Sequence, residues 1–339
     1  MTRVLVAGIV AMVVSIVIGP KFIEFLRRHE LGQFIREEVP ERHAAKQGTP
    51  TMGGLLMLLG AAVAFLALSR YTAEALAVAF TALACGAVGF VDDYLKVRHK
   101  RSLGLSGRWK LVLLAAITVV VGYVAHRNDV ETSIEIPVLR AELPLSFLWF
   151  PFLFLLIAGA ANGVNLTDGV DGLAAGTGII ALFALTGMNI VAFIRSGQQA
   201  GLMPLRAEKQ DLAILGAALL GGAIGFLWYN AFPAEVFMGD TGSMALGGAI
   251  GAFAIMMKIE LLLLLVGGIF VIEALSVMIQ VISFKYWGRR VFLMAPIHHH
   301  FEMKAWSDAK IMVRFWIAAG ILCASAFAIY YRFFFDFIR

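Results

Sequence analysis

The stretch VLVAGIVAMVVSIVIGPKFIEFL at positions 4–26 decides the class of fold. A helix needs ~20 residues to cross the hydrocarbon of a bilayer, and this run is long enough. It outlasts the usual ~7–15 apolar residues of a secretory signal, has no small-residue cleavage site, and leads into Lys21, Arg27 and Arg28, so an uncleaved span is expected. Similar blocks follow at 52–69, 75–91, 111–125, 145–161, 172–194, 212–228, 241–257, 261–283 and 315–335. Tyr123 and Trp109 near the ends of the short fourth block suit interfacial anchors. Ten helices of ~20 residues use ~200 residues, which leaves no room for a soluble domain of ordinary size in a chain of 339. The composition agrees: 60% of residues are hydrophobic and 15% charged, against ~45–50% and ~25% in soluble domains. Two soluble domains and a disordered chain are excluded. The blocks are apolar all round, whereas barrel strands would alternate. The expectation is an all-α polytopic integral membrane protein, one transmembrane catalytic domain over 1–339. Cys85 and Cys323 fall inside spans without a CxxC partner and read as small packing residues.

Basic residues orient the chain. Arg27, Arg28, Arg36, Arg42 and Lys46 follow span 1; Lys96, Arg98, Lys100, Arg101, Arg108 and Lys110 follow span 3; Lys285, Arg289, Arg290, Lys304 and Lys310 follow span 9. Fewer lie in the alternate connections, so the loops after odd-numbered spans face the cytoplasm and both termini lie on the extracytoplasmic side. The net charge of +5 is mostly this topology signal. Contact with anionic membrane lipids or phosphorylated substrates fits it as well, but no nucleic-acid-binding module is present.

Nearly every unusual polar cluster falls on that same cytoplasmic side: KQGTPTMGG at 46–54, FVDDY at 90–94, NGVNLTDGVDG at 162–172, Asn230 with FMGDTGS at 237–243, and PIHHHFE at 296–302. Structural accidents would fall on both faces. One composite site would gather them on one.

Asp92 and Asp93 end span 3, and adjacent helix positions point ~100° apart. One therefore faces a metal or nucleophile while the other orients a neighbour; a solvated helix end is the plain alternative. Asn165, Asp168 and Asp171 are spaced by three, which a helical start would place along one face, and Gly169 and Gly172 allow a tight turn before span 6. Neither a Walker loop nor an EF-hand fits. Asp240 either caps span 8 or joins other acids and phosphate oxygens around Mg²⁺. Phe237 either faces lipid or stacks on a base. His298, His299 and His300 are too close together for a zinc site; they either donate to a diphosphate or sit at the membrane interface. Glu273 and Gln280, within span 9, are structural polar contacts or parts of a lipid-phosphate groove, and Gly267–Gly268 allows either a bend or close helix packing.

Together, PTMGG at 50–54, the Asp92–Asp93 pair, NLTDGVDGLA at 165–174, FMGDTGS at 237–243 and APIHHHFE at 295–302 resemble the polyprenyl-phosphate N-acetylhexosamine-1-phosphate transferases. The PTMGG and triple-histidine segments are most similar to the branch with a muramoyl-pentapeptide donor. The resemblance covers essentially the whole chain and implies a bacterial inner-membrane enzyme with a cytoplasmic active site. It implies transfer from UDP-N-acetylmuramoyl-pentapeptide to undecaprenyl phosphate with Mg²⁺, and a homodimer. Carried onto this sequence, it makes Asp240 the metal ligand, with Asp92 and Asp93 organising metal or acceptor phosphate and Asp93 the usual candidate for activating it. Asn165, Asp168 and Asp171 would hold the nucleotide, with Lys46, Thr51, Asn230 and Gln280 lining the same region. Phe237 would stack on uracil, and His298, His299 and His300 would meet diphosphate or sugar. A sister enzyme using UDP-N-acetylglucosamine is the near rival, and an ion-coupled transporter built around Glu273 the distant one.

Overall fold

The computed structural model describes residues 1–29, 48–99, 101, 103–136, 139, 141–197 and 203–334. Its helices are α1 (Thr2–Arg28), α2 (Gly54–Leu68), α3 (Ala73–Arg98), α4 (Gly107–Arg127), α5 (Trp149–Thr167), α6 (Leu173–Ser196), α7 (Met203–Asn230), α8 (Gly239–Met256), α9 (Leu263–Val266), α10 (Gly268–Trp287), α11 (Ile297–Met303) and α12 (Asp308–Ile329). A small antiparallel hairpin, β1 (Ser133–Ile136) with β2 (Ala141–Pro144), lies between α4 and α5. Among the described residues, eight helices are long and apolar enough to cross a membrane: α1, α3, α4, α5 with its preceding turn, α6, α7, α10, and α12 with the turn that follows it. The chain is a polytopic helical membrane protein.

α8 is the axis of the bundle. Every residue from Thr241 to Met256 is buried, and α2, α3, α5 and α6 pack against it. In lipid no hydrophobic gain separates helix from helix, so close packing of small residues must hold them. A Cβ on Gly89 of α3 would lie 2.1 Å from the Asp240 carbonyl oxygen, and one on Gly54 of α2 would lie 2.1 Å from Gly242 Cα. Those two glycines bring α2 and α3 against the first turn of α8, where the polar residues collect.

Most helices differ by a few residues from the bounds of their apolar blocks, and three of the differences have a clear physical cause. The block at 261–283 is not one helix: it breaks at Gly267 (φ −94°, ψ 17°) into α9 and α10. Gly267 N–H closes α9 on Leu263 O at 2.8 Å, and Gly268 packs on Leu322 of α12, where a Cβ would stand 2.6 Å from Leu322 Cδ1. α7 begins before position 212, because its early charges are paired: Lys209 Nζ lies 3.0 Å from Glu74 Oε2, and Asp211 accepts from Ser69 Oγ and from Arg70 N, each at 2.8 Å. α12 likewise starts before 315, behind a Ser307 cap whose Oγ accepts from Lys310 N at 3.3 Å. The hairpin carries no apolar block and was not anticipated. Lys258 ties it to the bundle by donating to the carbonyl oxygens of Glu131 and Ser133.

Gly89→Ala is expected to lower the thermal midpoint of the detergent-solubilised protein, since overpacking against backbone costs about 1–3 kcal/mol. Gly320→Ala in α12, where a Cβ meets nothing within 4 Å, should leave it unchanged or raise it slightly, since a helix-interior Gly→Ala change stabilises by ~0.5–1 kcal/mol. Equal midpoints for Gly89→Ala and the parent would contradict the close approach of α3 and α8.

Candidate active site

The N-terminus of a helix leaves unpaired N–H groups, and in α8 they point into the protein. No side chain of α8 caps them. Asp93, in the last turns of α3, does so from across the interface. Its Oδ1 accepts from Asp240 N at 3.1 Å, and its Oδ2 from Thr241 N at 2.9 Å and Thr241 Oγ1 at 2.7 Å. Gly239 makes room: it has φ +72°, and a Cβ there would come within 2.5 Å of Asp93 Oδ2 and 2.8 Å of Thr51 Oγ1. Any other residue would be strained and would displace the cap.

Because Asp93 does the capping, the Asp240 side chain is released from it. Asp240 instead turns to two ammonium groups, Lys96 Nζ at 3.0 Å and Lys110 Nζ at 2.7 Å. Asp92 meets the same pair, Lys96 at 2.6 Å and Lys110 at 3.0 Å, and its Oδ1 also accepts from Leu105 N at 2.6 Å. Asp92, Asp93 and Asp240 each offer an oxygen within 4.8 Å of the others. The two neighbouring aspartates thus diverge: one holds a helix terminus and the other faces the lysines. The alternative that Asp92–Asp93 is merely a solvated helix end does not fit, since both are buried.

Lys96 and Lys110 were counted in the sequence only as topology charges. The signal was nevertheless present for Lys96, which follows Asp92 by four and Asp93 by three on one helix. Lys110 comes from the first turn of α4, and no local spacing reveals it.

The run 165–171 does not ride on a helical start. Asn165 lies in the last turn of α5, Asp168 follows its end, and Asp171 sits in the turn before α6. A positive φ of 74° at Gly172 closes that turn. Asn165 Nδ2 donates to Ser243 Oγ at 2.9 Å, tying α5 to α8. Asp168 accepts from Gly239 N–H, beside Asp240. Burial raises its carboxyl well above the usual carboxylate range, and the charges of Asp240, Asp93 and Asp171 push the same way, against the Gly239 bond. Asp171 Oδ2 accepts from Ala234 N at 3.1 Å. Buried Asn230 accepts from Gly172 N at 3.1 Å and donates to Val236 O at 2.9 Å, so both ends of its amide join loops together. Phe237, half-buried, bonds through its backbone to Pro50 and Gly53, which puts the 50–54 segment against the α8 entrance, with Thr51 buried beside Gly239. Lys46 lies outside the described residues.

The three histidines open the short α11 and separate in role. His298 is fully buried and pairs with Glu273 of α10 at 3.1 Å. His299 Nδ1 lies 2.5 Å from Glu302 Oε2, and His300 Nδ1 accepts from Leu293 N at 3.1 Å. A Cβ on Gly169 would lie 2.4 Å from His298 Nε2, so His298 is packed against the loop that carries Asp168. Gln280 spends its amide on the loop between α10 and α11: Nε2 donates to Phe292 O, and Oε1 accepts from Val291 N and Phe292 N, each at 3.0 Å.

The donor set suits a hard divalent cation. Three carboxylates converge, and Mg²⁺ is held by one or two carboxylates with phosphate oxygens completing its shell.

Asp93→Ala should remove three bonds to the α8 terminus at once. A bond to a charged acceptor contributes about 1.5–3 kcal/mol, so the thermal midpoint should fall clearly, whereas Asp240→Ala, which frees no backbone donor, should leave it within a few degrees. A midpoint for Asp93→Ala as high as for Asp240→Ala would remove the cap from the account.

Comparison with known proteins identifies this architecture. Residues 75–258, which include Asp92, Asp93, Asp168 and Asp240, match the model of glycosyl transferase family 4. Residues 46–58, around the PTMGG segment, match signature 1 of phospho-N-acetylmuramoyl-pentapeptide-transferase. The proteins of that name from Rubrobacter xylanophilus and Halalkalibacterium halodurans are each 44% identical to this chain, covering 98% of both chains in the first case and 93% and 94% in the second. That from a Geobacillus species is 45% identical over 94% of each. With kinship at this level along nearly its whole length, and an acidic cluster at the place the matched segment supplies, the chain belongs to the phospho-N-acetylmuramoyl-pentapeptide-transferase family.

Proposed function

We propose that this protein transfers phospho-N-acetylmuramoyl-pentapeptide from UDP-N-acetylmuramoyl-pentapeptide to undecaprenyl phosphate, yielding undecaprenyl-diphospho-N-acetylmuramoyl-pentapeptide and UMP. The observation that carries the reading is the convergence of Asp92, Asp93 and Asp240 beside Lys96 and Lys110 at the ends of apolar helices. A water-soluble donor and a membrane-held acceptor can meet there, and both are anionic, so the site must first offset their repulsion.

Location and topology follow the basic residues. Arg27 and Arg28 end α1, Lys96 and Arg98 end α3, and Lys285 ends α10; the cluster lies at the same ends. The reading places it on the cytoplasmic face of a bacterial inner membrane. It counts ten spans by adding α2 and α8 to the eight long helices and puts both termini outside. α8 is sheathed by protein, so it does not need the hydropathy of a lipid-facing helix. One catalytic domain over 1–339, acting as a homodimer, completes it.

The chemistry asks little of a general base. A phosphate monoester with a second pKa of about 6 is largely dianionic at neutral pH. One of its oxygens attacks the donor phosphorus that bears the sugar, the bond from that phosphorus to the UMP oxygen breaks, and UMP leaves with the electron pair. Bound Mg²⁺ would supply Lewis-acid stabilisation of the phosphoryl oxygens, with Asp240 its ligand and Asp92 beside it. Lys96 and Lys110 offset charge on the transferring group. Both oxygens of Asp93 are committed to the α8 terminus, which favours direct attack over a covalent aspartyl intermediate. Asn165, Asp168, Asp171, Thr51 and Lys46 address the nucleotide, Phe237 its base, and His298, His299 and His300 the diphosphate and sugar. Asn230 and Gln280 support the loops of this pocket.

A detergent-solubilised assay should release UMP only when muramoyl-pentapeptide donor, polyprenyl phosphate and Mg²⁺ are all present. A chelator should abolish release and added Mg²⁺ restore it. Asp240→Ala should lower turnover by about 10²–10³-fold, the scale of losing one electrostatic stabiliser, at saturating Mg²⁺ and with folded protein retained. Turnover with UDP-N-acetylglucosamine instead would point to the sister activity, and release that ignores polyprenyl phosphate would sink the transferase reading.

A further inference from the structure

Glu273 lies well inside α10 and is fully buried, as is His298 on α11. An ionisable side chain in a membrane-spanning helix is costly enough to need a function or a partner. The partner is His298, whose Nδ1 lies 3.1 Å from Glu273 Oε1. An ionised carboxylate only accepts, so the proton of this bond belongs to Nδ1. The other ring nitrogen, Nε2, is buried with no hydrogen-bond partner among the described residues. It faces the loop between α5 and α6, where a Cβ on Gly169 would intrude to 2.4 Å. Leaving a buried polar atom unmatched is costly, and here the ring is fixed on both sides: a carboxylate holds one edge, and a backbone without a side chain spaces the other. Asp168, bonded to Gly239 N–H at the mouth of α8, is the next residue along that loop.

We infer that Glu273 is a positioning residue for the transfer reaction: it holds the His298 imidazole so that Nε2, the accepting nitrogen once Nδ1 carries the proton, is presented past Gly169 to a hydroxyl group on the sugar of the donor. The inference rests on the transferase reading and deepens it. Carboxylate–imidazole pairs set ring orientation and tautomer in the same manner in metal sites, where loss of the outer partner costs about 10–100-fold.

The test is steady-state UMP release by the full chain in detergent, run in two backgrounds. Glu273→Ala should lower kcat by about 10–100-fold while KM for polyprenyl phosphate stays within about twofold, since the ring addresses the donor. Glu273→Gln keeps an acceptor for Nδ1–H and should recover activity to within about threefold of the parent, on the scale of one neutral hydrogen bond replacing a charged one. Combined with His298→Ala, Glu273→Ala should cause no further loss. Gly169→Ala, which crowds the ring from the other side, should likewise impair turnover only while His298 is present, and it decides the matter if Glu273→Ala does not fold. Parental activity in Glu273→Ala, equal losses with and without His298, or a Gln variant as weak as the Ala variant would each overturn the inference. If the parent protein itself releases no UMP, the transferase reading fails instead.

Discussion

A carboxylate at the end of one helix holding the first turn of another is the contact on which the rest of this structure depends. α8 starts inside the protein, where water cannot satisfy its leading N–H groups, and each such donor left bare is expensive in a low-dielectric surrounding. Asp93 meets two of them and the Thr241 hydroxyl as well. That fixes the height of α8 against α3. It also decides what Asp240 does: with the terminus already capped from outside, its own carboxylate points to Lys96 and Lys110. Gly89, Gly54 and Gly239 matter for the same reason, since each lets backbone come close enough for the bond network to close.

Electrostatics then turns a structural joint into a reactive one. Two like charges 4 Å apart repel by about 4 kcal/mol at an effective dielectric of 20, a large fraction of the ~5–15 kcal/mol that holds a typical domain folded. Three such carboxylates within 4.8 Å persist only because cations share the space. Lys96 and Lys110 each bridge Asp92 and Asp240, while burial and these same carboxylates push the neighbouring Asp168 toward its protonated form. Such a site is poised for a cation stronger than ammonium.

The helices were legible because membrane-length apolar runs admit few other structures; the blocks at 4–26, 75–91 and 172–194 lie inside α1, α3 and α6 or extend one residue before them. The bounds 261–283 ran through Gly267 because hydropathy does not register a backbone break between equally apolar halves, although the Gly267–Gly268 pair offers the bend and the close packing that the structure shows there. Early α7 lies outside the apolar block because it is charged, and its charges are satisfied far along the chain: Lys209 pairs with Glu74, and Asp211 accepts from the Ser69 hydroxyl. At the site, the divergence of Asp92 and Asp93 could be argued from helix geometry alone. Their division of labour could not, since it depends on where α8 begins. Lys110 was hidden among topology charges, and the amides of Asn230 and Gln280, expected along the nucleotide pocket, are engaged in tying loops, a distinction only tertiary partners reveal. Lys46 lies outside the described residues.

The segments that meet at the site are joined by polar side chains that reach the backbone of a neighbouring element and by glycines that let them come close. Asp168 reaches α8 through Gly239 N–H, the adjacent Gly169 spaces His298, and His298 leans on Glu273 in α10. Four separate elements are thereby registered to one another by contacts that tolerate no added methyl group at the glycines. This explains why the polar motifs are rich in glycine although they flank helices, where glycine is a poor choice locally. The local helix cost is accepted because a transfer between two anions gains from fixed donors and charges only if they are held before the reactants arrive, and the close approach that these glycines permit lets short side chains such as Asp93 bond directly to the backbone of the next helix.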